Sequence, residues 1–469
     1  MTTVSPGQDA RAASLRELCA GAVHLPGDPG YDEARQPWNV AVDQRPAAVA
    51  YPGTPEEVSA VVVAAAAAGL RVAPQGTGHN AGPLGPLDDV VLLRTSAMTG
   101  VEIDKERMVA RVEAGALWLD AVEPAAEAGL AALHGSSPDV GIVGYSLGGG
   151  LGWYARKLGL ATNSITAVEL VIGDGSIVCA DPDTNPELFW ALRGGGGSFG
   201  VVTALEFRLY PIESVYGGML VWDVKDAEKV LRRWAEWCVD APDEVTTAFR
   251  ILNVPPMPDI PEAFQGRHLV VIDGAVLDDD ERAEEILAPL RALEPEMDMF
   301  GRMPAAGLVR IHMDPEGPTP ATSQTAMLDS LPEEGIEAFL SAAGADSGSS
   351  LLVAELRQLG GALGRPHAGA GALPQLDGQF ILFAVAIAAT PEMAEQGHAD
   401  AVRLTEAMGP FASTRNYLNF AENPVDVSRS YPEETWRQLA GVRSAVDSDG
   451  TFLANHPVPR LYESGKPTT

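Results

Sequence analysis

Residues 71–82 read RVAPQGTGHNAG. A short apolar strand, Arg71 to Pro74, runs into a turn holding Gly76, Gly78 and a histidine, His79. Glycines let a backbone come close to a partner and turn its N–H groups outward. Taken alone, the stretch is also compatible with a plain tight loop and an ordinary loop histidine. The residues around it decide between these readings.

Upstream, AVAYPGT is a strand ending at Pro52, and TPEEVSAVVVAAAAAG (54–69) reads as a helix. Thr54 is its expected N-cap, Pro55 lies in its first turn, Glu57 takes the capping-box position and Gly69 the C-cap. Residues 49–74 therefore predict a βαβ unit. DVVLLRT (89–95) and MVARVEAG (108–115) continue the strands, and LWLDAVEPAAEAGL is a helix. AVELVIGDGSIVCA (167–180) predicts a hairpin about Gly173-Asp174-Gly175. GVVTALEFRLYPI is a last strand, closed by Pro211.

Beyond that point the pattern changes. Strand-like runs at 215–224, 245–254, 268–277, 351–358 and 379–388 alternate with helical stretches at 227–239, 281–293 and 391–408. This predicts an α+β unit, a sheet with helices on one side. Residues 303–324 are rich in Pro and Gly and are expected to loop. An aromatic, Asn-containing tail follows residue 410. The expected division is 1–212, 213–409 and 410–469.

Composition narrows the function. The 469 residues exceed one ordinary core. At 46% apolar and 20% charged the chain is globular. Acids outnumber bases 64 to 32, a formal charge of −32, which disfavours nucleic acid and anionic membrane surfaces as partners. Cys19, Cys179 and Cys238 are too scattered for a disulfide framework or a zinc site, and no metal is expected. The first 18 residues lack the pattern of a secretory leader, and the longest apolar run (58–70) is too short to span a bilayer. The expectation is a cytoplasmic monomer or homodimer.

Two further stretches are glycine-rich: SSPDVGIVGYSLGGGLGWYARKLGL (136–160) and LFWALRGGGGSFGVVT (188–203). Backbone N–H nests hold phosphate without lysine, which suits an acidic protein with a diphosphate cofactor. GGGLG does not complete the G-x-G-x-x-G of a nicotinamide site. GYSLG matches the G-x-S-x-G elbow of a serine hydrolase, with Ser146 as nucleophile and His456 as partner. That elbow needs a buried strand before it and a helix after it. Pro138 and four glycines among residues 148–152 argue against both.

Taken together, PQGTGHN, SPDVGIVGYSLGGGLGWYARKLGLATNSI, ELFWALRGGGGSFGVVT, ELRQLGGALGR and YLNF, in this order and spacing, resemble the berberine-bridge-enzyme-like, 6-hydroxy-D-nicotine-oxidase-like family of FAD-linked oxidases. The resemblance covers nearly the whole chain and is strongest at Ala48 to Pro211 and Asn416 to Val458. It implies an α+β chain: a two-subdomain PCMH-type FAD-binding domain completed by the C-terminal tail, with an inserted α+β substrate domain built on an antiparallel sheet.

By the same resemblance His79 bonds covalently to the flavin 8α-methyl, and Gly76, Thr77 and Gly78 cradle the pyrophosphate. Gln75, Asn80, Ser137, Val140, Gly141, Gly144, Ser146, Gly148, Gly149, Gly152, Val201, Asn419 and Asn455 are its other expected cofactor residues. Many members have Arg in place of Gln75, so a phosphate contact there would be a neutral hydrogen bond. Doubly linked members have a cysteine in place of Ser137, so a single link is expected here. Val140 stands at the gatekeeper position, where valine goes with oxygen access and peroxide formation.

Tyr417 matches the tail tyrosine and is either the base or a tyrosine packed in the domain seam. Glu355 and Arg357 alternate about Leu356, which puts both on one face of a strand, either at the substrate cavity or as a salt-bridged pair. His312, beside the Pro/Gly-rich segment, either reaches the cavity mouth or, as a lone histidine, is structural, and Trp153 and Tyr154 either pack or line a pocket. The implied activity is an FAD-dependent oxidase that passes hydride from a small alcohol, sugar, amine or natural-product intermediate to flavin N5 and then to O2. Its rivals are the serine hydrolase and a flavin dehydrogenase or binding protein that does not use oxygen.

Overall fold

The apolar runs become three sheets in the computed structural model, which describes residues 11–258 and 260–461. Residues 1–10 of the stretch read for a leader, and residues 462–469 of the tail, lie outside the described residues.

The first sheet holds β1 (Val23–His24), β2 (Ala48–Ala50), β3 (Arg71–Gln75) and β4 (Val90–Arg94) in the order β1-β2-β4-β3. The helix Pro55–Ala67 links β2 to β3. Thr54 caps it by accepting from Glu57 N at 3.2 Å, and Gly69 follows it at φ +67°. β2 and β3 are parallel but not adjacent, because each pairs with β4. The reason is composition: Val90, Val91, Leu92 and Leu93 are all fully buried, as a central strand of a covered parallel sheet requires.

The second sheet is antiparallel: β5 (Val101–Asp104), β6 (Val109–Glu113), β7 (Ile165–Val171), β8 (Ile177–Ala180) and β9 (Val201–Arg208), ordered β5-β6-β9-β7-β8. The predicted hairpin is β7–β8, with Val171 opposite Ile177 and Gly175 at φ +86°.

The third sheet is 8-stranded and antiparallel. It contains β10 (Ser214–Asp223), β11 (Val245–Asn253), β12 (His268–Val276), β13 (Met297–Asp298), β14 (Gly301–Pro304), β15 (Ala321–Leu328), β16 (Val353–Gln358) and β17 (Phe380–Ile387). The helices Ala227–Asp240, Asp280–Arg291, Glu333–Ala343 and Pro391–Ala407 pack on one face, over Leu220, Phe249, Ile272, Leu356 and Leu382. The other face, carrying Glu355, Arg357, Phe383 and Val385, looks into a cavity.

The region expected to loop is partly strand. β14 ends at Pro304, and β15 begins at Ala321. β15 reads ATSQTAML. Its polar residues hid it from a reading based on apolar runs.

The tail returns to the first sheet, where Val72 N donates to Thr451 O at 2.8 Å and Leu453 N to Val72 O at 2.9 Å. Arg156, in the short helix Ala155–Leu158, ties the sequence before residue 212 to the third sheet. Its buried guanidinium donates to Val245 O at 2.8 Å, Ala241 O at 2.8 Å, Pro242 O at 3.3 Å and Leu359 O. No helix among the described residues is long and apolar enough to cross a membrane.

Arg156→Met removes the guanidinium donor from the buried bonds to Val245 O and Leu359 O, each loss costing about 1–3 kcal/mol, and from the part-buried ones to Ala241 O and Pro242 O. Chemical denaturation is expected to show a loss of about 3 kcal/mol. A loss under about 0.5 kcal/mol would reject the staple.

Candidate functional site

A cavity of about 440 Å³ is lined by residues from all three sheets and the tail. One wall is bare backbone. Gly144, Gly196 and Gly197 line it, and a Cβ on any of them would meet nothing within 4 Å. Gly78 differs. At φ +84°, with a Cβ that would fall 2.7 Å from Pro37 Cβ, it is a glycine because the chain turns tightly there.

That turn delivers His79. Its ring stacks on Trp38, with centroids 4.1 Å apart and planes at 19°. Nδ1 lies 2.7 Å from Thr77 Oγ1. Nε2 lies 3.6 Å from Asp139 Oδ1 and is buried with no hydrogen-bond partner. Asp139 in turn accepts from Trp38 Nε1 at 2.6 Å, Gly317 N at 2.8 Å and Ser137 Oγ at 2.8 Å. Burial pushes its carboxyl up, but His79, Gly317, Trp38 and Ser137 together hold it well below the usual carboxylate range. Asn80 Oδ1 and the Tyr145 hydroxyl are two more buried, unpartnered atoms on residues lining the same cavity. Orphaned polar atoms and an open glycine wall fit a long ligand with polar groups along its length.

The roof is a buried charge cluster. Glu355 and Arg357 line the cavity at 2% and 6% exposure, and Arg357 Nε donates to Glu355 Oε1 at 2.6 Å. The guanidinium sits between Trp153 (5.5 Å) and Phe420 (5.2 Å). His312 Nδ1 is 2.8 Å from Asp273 Oδ2, and its Nε2 is 3.5 Å from Glu355 Oε2 and 3.9 Å from Asp314 Oδ1. Arg250 pairs with Asp273 and donates to His312 O at 2.7 Å. Arg250, His312 and Arg357 thus oppose Asp273, Asp314 and Glu355, the balance that buried charge needs. Burial and Arg250 push His312 down, but the three carboxylates outweigh them and raise it to about 9. Burial pushes Glu355 up, but Arg357 and His312 hold it well below the ordinary range.

Glu422, from the tail, lines the same cavity and accepts from Ser323 Oγ at 2.6 Å. Burial raises it to about 7.

Residues 46–181 match a family described as FAD binding domain. The chain therefore carries an FAD binding domain. It is 36% identical to (R)-6-hydroxynicotine oxidase of Paenarthrobacter nicotinovorans over 43% of this chain and 44% of that protein. It is 34% identical to xylooligosaccharide oxidase of Thermothelomyces thermophilus over 45% of this chain and 44% of that protein. These matches span less than half the length of either relative. The solved structure of Physcomitrella patens BBE-like 1 superimposes with a TM-score of 0.83 at 21% identity, covering 97% of this chain and 100% of that one. The fold is the berberine-bridge-enzyme-like one, α+β with a PCMH-type FAD-binding part.

Of the residues expected at the flavin, Gln75 to Asn80, Ser137, Val140, Gly141, Gly144, Gly148, Asn419 and Asn455 line the cavity. Ser146, Gly149, Gly152 and Val201 stand outside that lining. Ser146 is buried within the helix Ile142–Leu147 and Val201 is buried core. A Cβ on Gly152 would strike the His134 carbonyl, and one on Gly149 would lie 3.0 Å from Leu373 Cδ2, so these glycines serve close packing.

Gln75 commits its amide to Gln44, at 2.9 and 3.1 Å, instead of reaching outward. Asn419 Nδ2 donates to Tyr145 O at 2.8 Å, and Asn455 Nδ2 to Asn80 O at 3.3 Å; both brace the walls. Tyr417 is 2% exposed and outside the lining, and burial pushes its hydroxyl up, the opposite of what a base near neutral pH needs. Trp153 and Tyr154 pack in the core. The hydrolase pair is not assembled, because His456 Nε2 donates to Ala421 O at 2.8 Å and no described hydrogen bond joins it to Ser146.

Sequence reasoning missed Trp38, Asp139, Tyr145 and Glu422, and favoured a structural role for His312, which lines the cavity. An acid inside the apolar tail, YLNFAEN, was the available signal for Glu422.

Gly144→Val places its side chain in open cavity space. The protein is expected to fold, with an unchanged circular dichroism spectrum, and to purify with much less flavin by absorbance. A full flavin complement would show that the glycine wall does not face the cofactor.

Proposed function

We propose that the chain is an FAD-dependent oxidase holding its flavin through a single bond to His79. When bound, FAD would supply the redox chemistry, as hydride acceptor at N5 for a substrate C–H and as electron donor to O2, with H2O2 as product. The observation that carries this reading is His79 itself, held on Trp38, Thr77 and Asp139 beside a bare-backbone wall in an FAD binding domain.

None of Cys19, Cys179 and Cys238 lines the cavity, so no thiol stands ready for a second link. Val140 lines it as the proposed oxygen gatekeeper. The third sheet, within residues 213–409, forms the substrate roof, and residues 1–212 with 410–469 hold the cofactor. Substrates are small organic molecules: alcohols, sugars, amines or natural-product intermediates. The two relatives named above, oxidases of a hydroxynicotine and of xylooligosaccharides, support that range.

This chain's own residues supply position and proton transfer. Arg357, fixed by Glu355 and flanked by two aromatic rings, orients the substrate. Glu355 is too strongly held as a carboxylate to be an effective base. Glu422, raised to about 7 beside Ser323, is matched to accept a proton near neutrality.

Two experiments test the reading. In the wild type, flavin is expected to stay with acid-precipitated protein, while His79→Ala leaves flavin that acid extracts. A His79→Ala protein that keeps its flavin through acid would sink the link, and slow reoxidation of reduced flavin in air would sink the oxidase assignment. A peroxide-release screen over alcohols, sugars, amines and aromatic metabolites identifies the substrate.

Glu422 acts as a base only when ionised. Activity should therefore fall as pH drops through about 7. Glu422→Gln is expected to lower kcat about 100-fold and to flatten that limb. A limb that survives the substitution assigns it to another group.

A further inference from the structure

The surroundings of His79 differ on its two sides. Nδ1 faces Thr77 Oγ1, and Thr77 lines the cavity. Nε2 faces Asp139, which does not line the cavity. Nε2 is also the buried ring nitrogen without a hydrogen-bond partner. The carboxylate behind it cannot swing freely, because Trp38 Nε1, Gly317 N and Ser137 Oγ all donate to it within 2.8 Å. The indole that donates to Asp139 is also the one stacked on the imidazole. One rigid unit therefore sets both the plane of the ring and the charge behind it.

We propose that Asp139 is the positioning residue for covalent flavin attachment: its carboxylate keeps the imidazole proton on Nε2, leaves Nδ1 as the nucleophile on the cavity side, and stabilises the positive ring as the new bond forms. This rests on the reading of His79 as the flavin's anchor. In the step, the bond between Nδ1 and the 8α carbon forms and one C–H bond of that methyl breaks. The methyl hydrogen leaves as a proton, and Nε2 releases a second proton. The two electrons pass through the isoalloxazine to O2, which takes up two protons and becomes H2O2.

Asp139 stays ionised throughout, its carboxyl being held well below the usual range. It acts on the ring by charge and does not keep the proton, as the aspartate of a catalytic triad does. Thr77 contributes differently. Its hydroxyl donates to Nδ1 and must give way when carbon bonds there.

The test compares wild type, His79→Ala, Asp139→Asn and Asp139→Glu, each purified as made and then incubated with FAD in air. Total flavin is read by absorbance, and covalent flavin by fluorescence of the denatured chain. Asp139→Asn is expected to hold FAD without bonding it, with covalent incorporation at least tenfold slower than wild type. Asn has a similar shape, but its amide can donate to Nε2 and drive the proton to Nδ1. Asp139→Glu keeps the charge and is expected to recover attachment in part.

Three results would overturn the proposal: Asp139→Asn bonding FAD at the wild-type rate, Asp139→Glu doing no better than Asp139→Asn, or an Asp139→Asn chain that neither folds nor holds FAD. The last would assign the carboxylate to architecture. If the wild type itself gives up its flavin to acid, the His79 anchor fails first, and that failure is visible without any Asp139 variant.

Discussion

The stack of Trp38 on His79, with Asp139 bonded to the indole and facing the imidazole, is the constraint on which the rest of the site depends. An imidazole in a loop would rotate freely. Here the ring plane is set by an aromatic neighbour, and each nitrogen has its own oxygen. The turn can deliver it only because Gly78 adopts a conformation closed to other residues, against Pro37. Pro37 and Trp38 are consecutive, so the residues that force the tight turn and fix the ring are one segment. The fold thus prepares the histidine before any cofactor arrives, which lowers the entropy cost of the bond it is proposed to make.

The roof follows a different logic. Arg250, Asp273, His312, Glu355 and Arg357 are nearly solvent-free, and every charge in the group is met by another. Such a cluster adds little net stability over an apolar core. What it supplies is a fixed guanidinium, held at Nε by Glu355 and on both sides by Trp153 and Phe420. Trp153 comes from the first half of the chain and Phe420 from the tail, so the guanidinium of a third-sheet strand contacts aromatic rings from both other parts of the fold.

The sequence made the N-terminal half legible because its signals are local. Thr54, Glu57 and Gly69 bound one helix, and Gly175 turns one hairpin. The glycine stretches pointed to a backbone-lined site, yet they could not separate Gly144, which faces open space, from Gly152, which a neighbouring carbonyl crowds. That distinction depends on His134, distant in sequence. Strand β15 was hidden because four consecutive polar residues, Thr322 to Thr325, fill its first half and leave only Ala326 to Leu328 as an apolar end. The charge cluster was illegible for a deeper reason. Its members come from β11, β12 and β16 and from the segment between β14 and β15, and only the register of an antiparallel sheet sets Arg250 opposite Glu355 and beside Asp273.

Proton transfer is where local sequence and assembled structure diverge most. Tyr417 fits a motif, but the fold seals its hydroxyl among Leu373, Phe420 and the glycine backbone at Gly149. A phenol there gains nothing from ionising. Glu422, five residues on, keeps contact with the cavity and one hydroxyl donor, and burial raises it to about 7, where both its acid and its carboxylate forms are populated near neutral pH. The contrast follows from solvation alone. Both groups are pushed up by burial, but a carboxyl starts several units lower than a phenol and so arrives near 7. Of the two carboxylic acids lining the cavity that shift, Glu355 is held down by Arg357 and His312, and Glu422, which has no cation among its causes, is the one that rises toward neutrality.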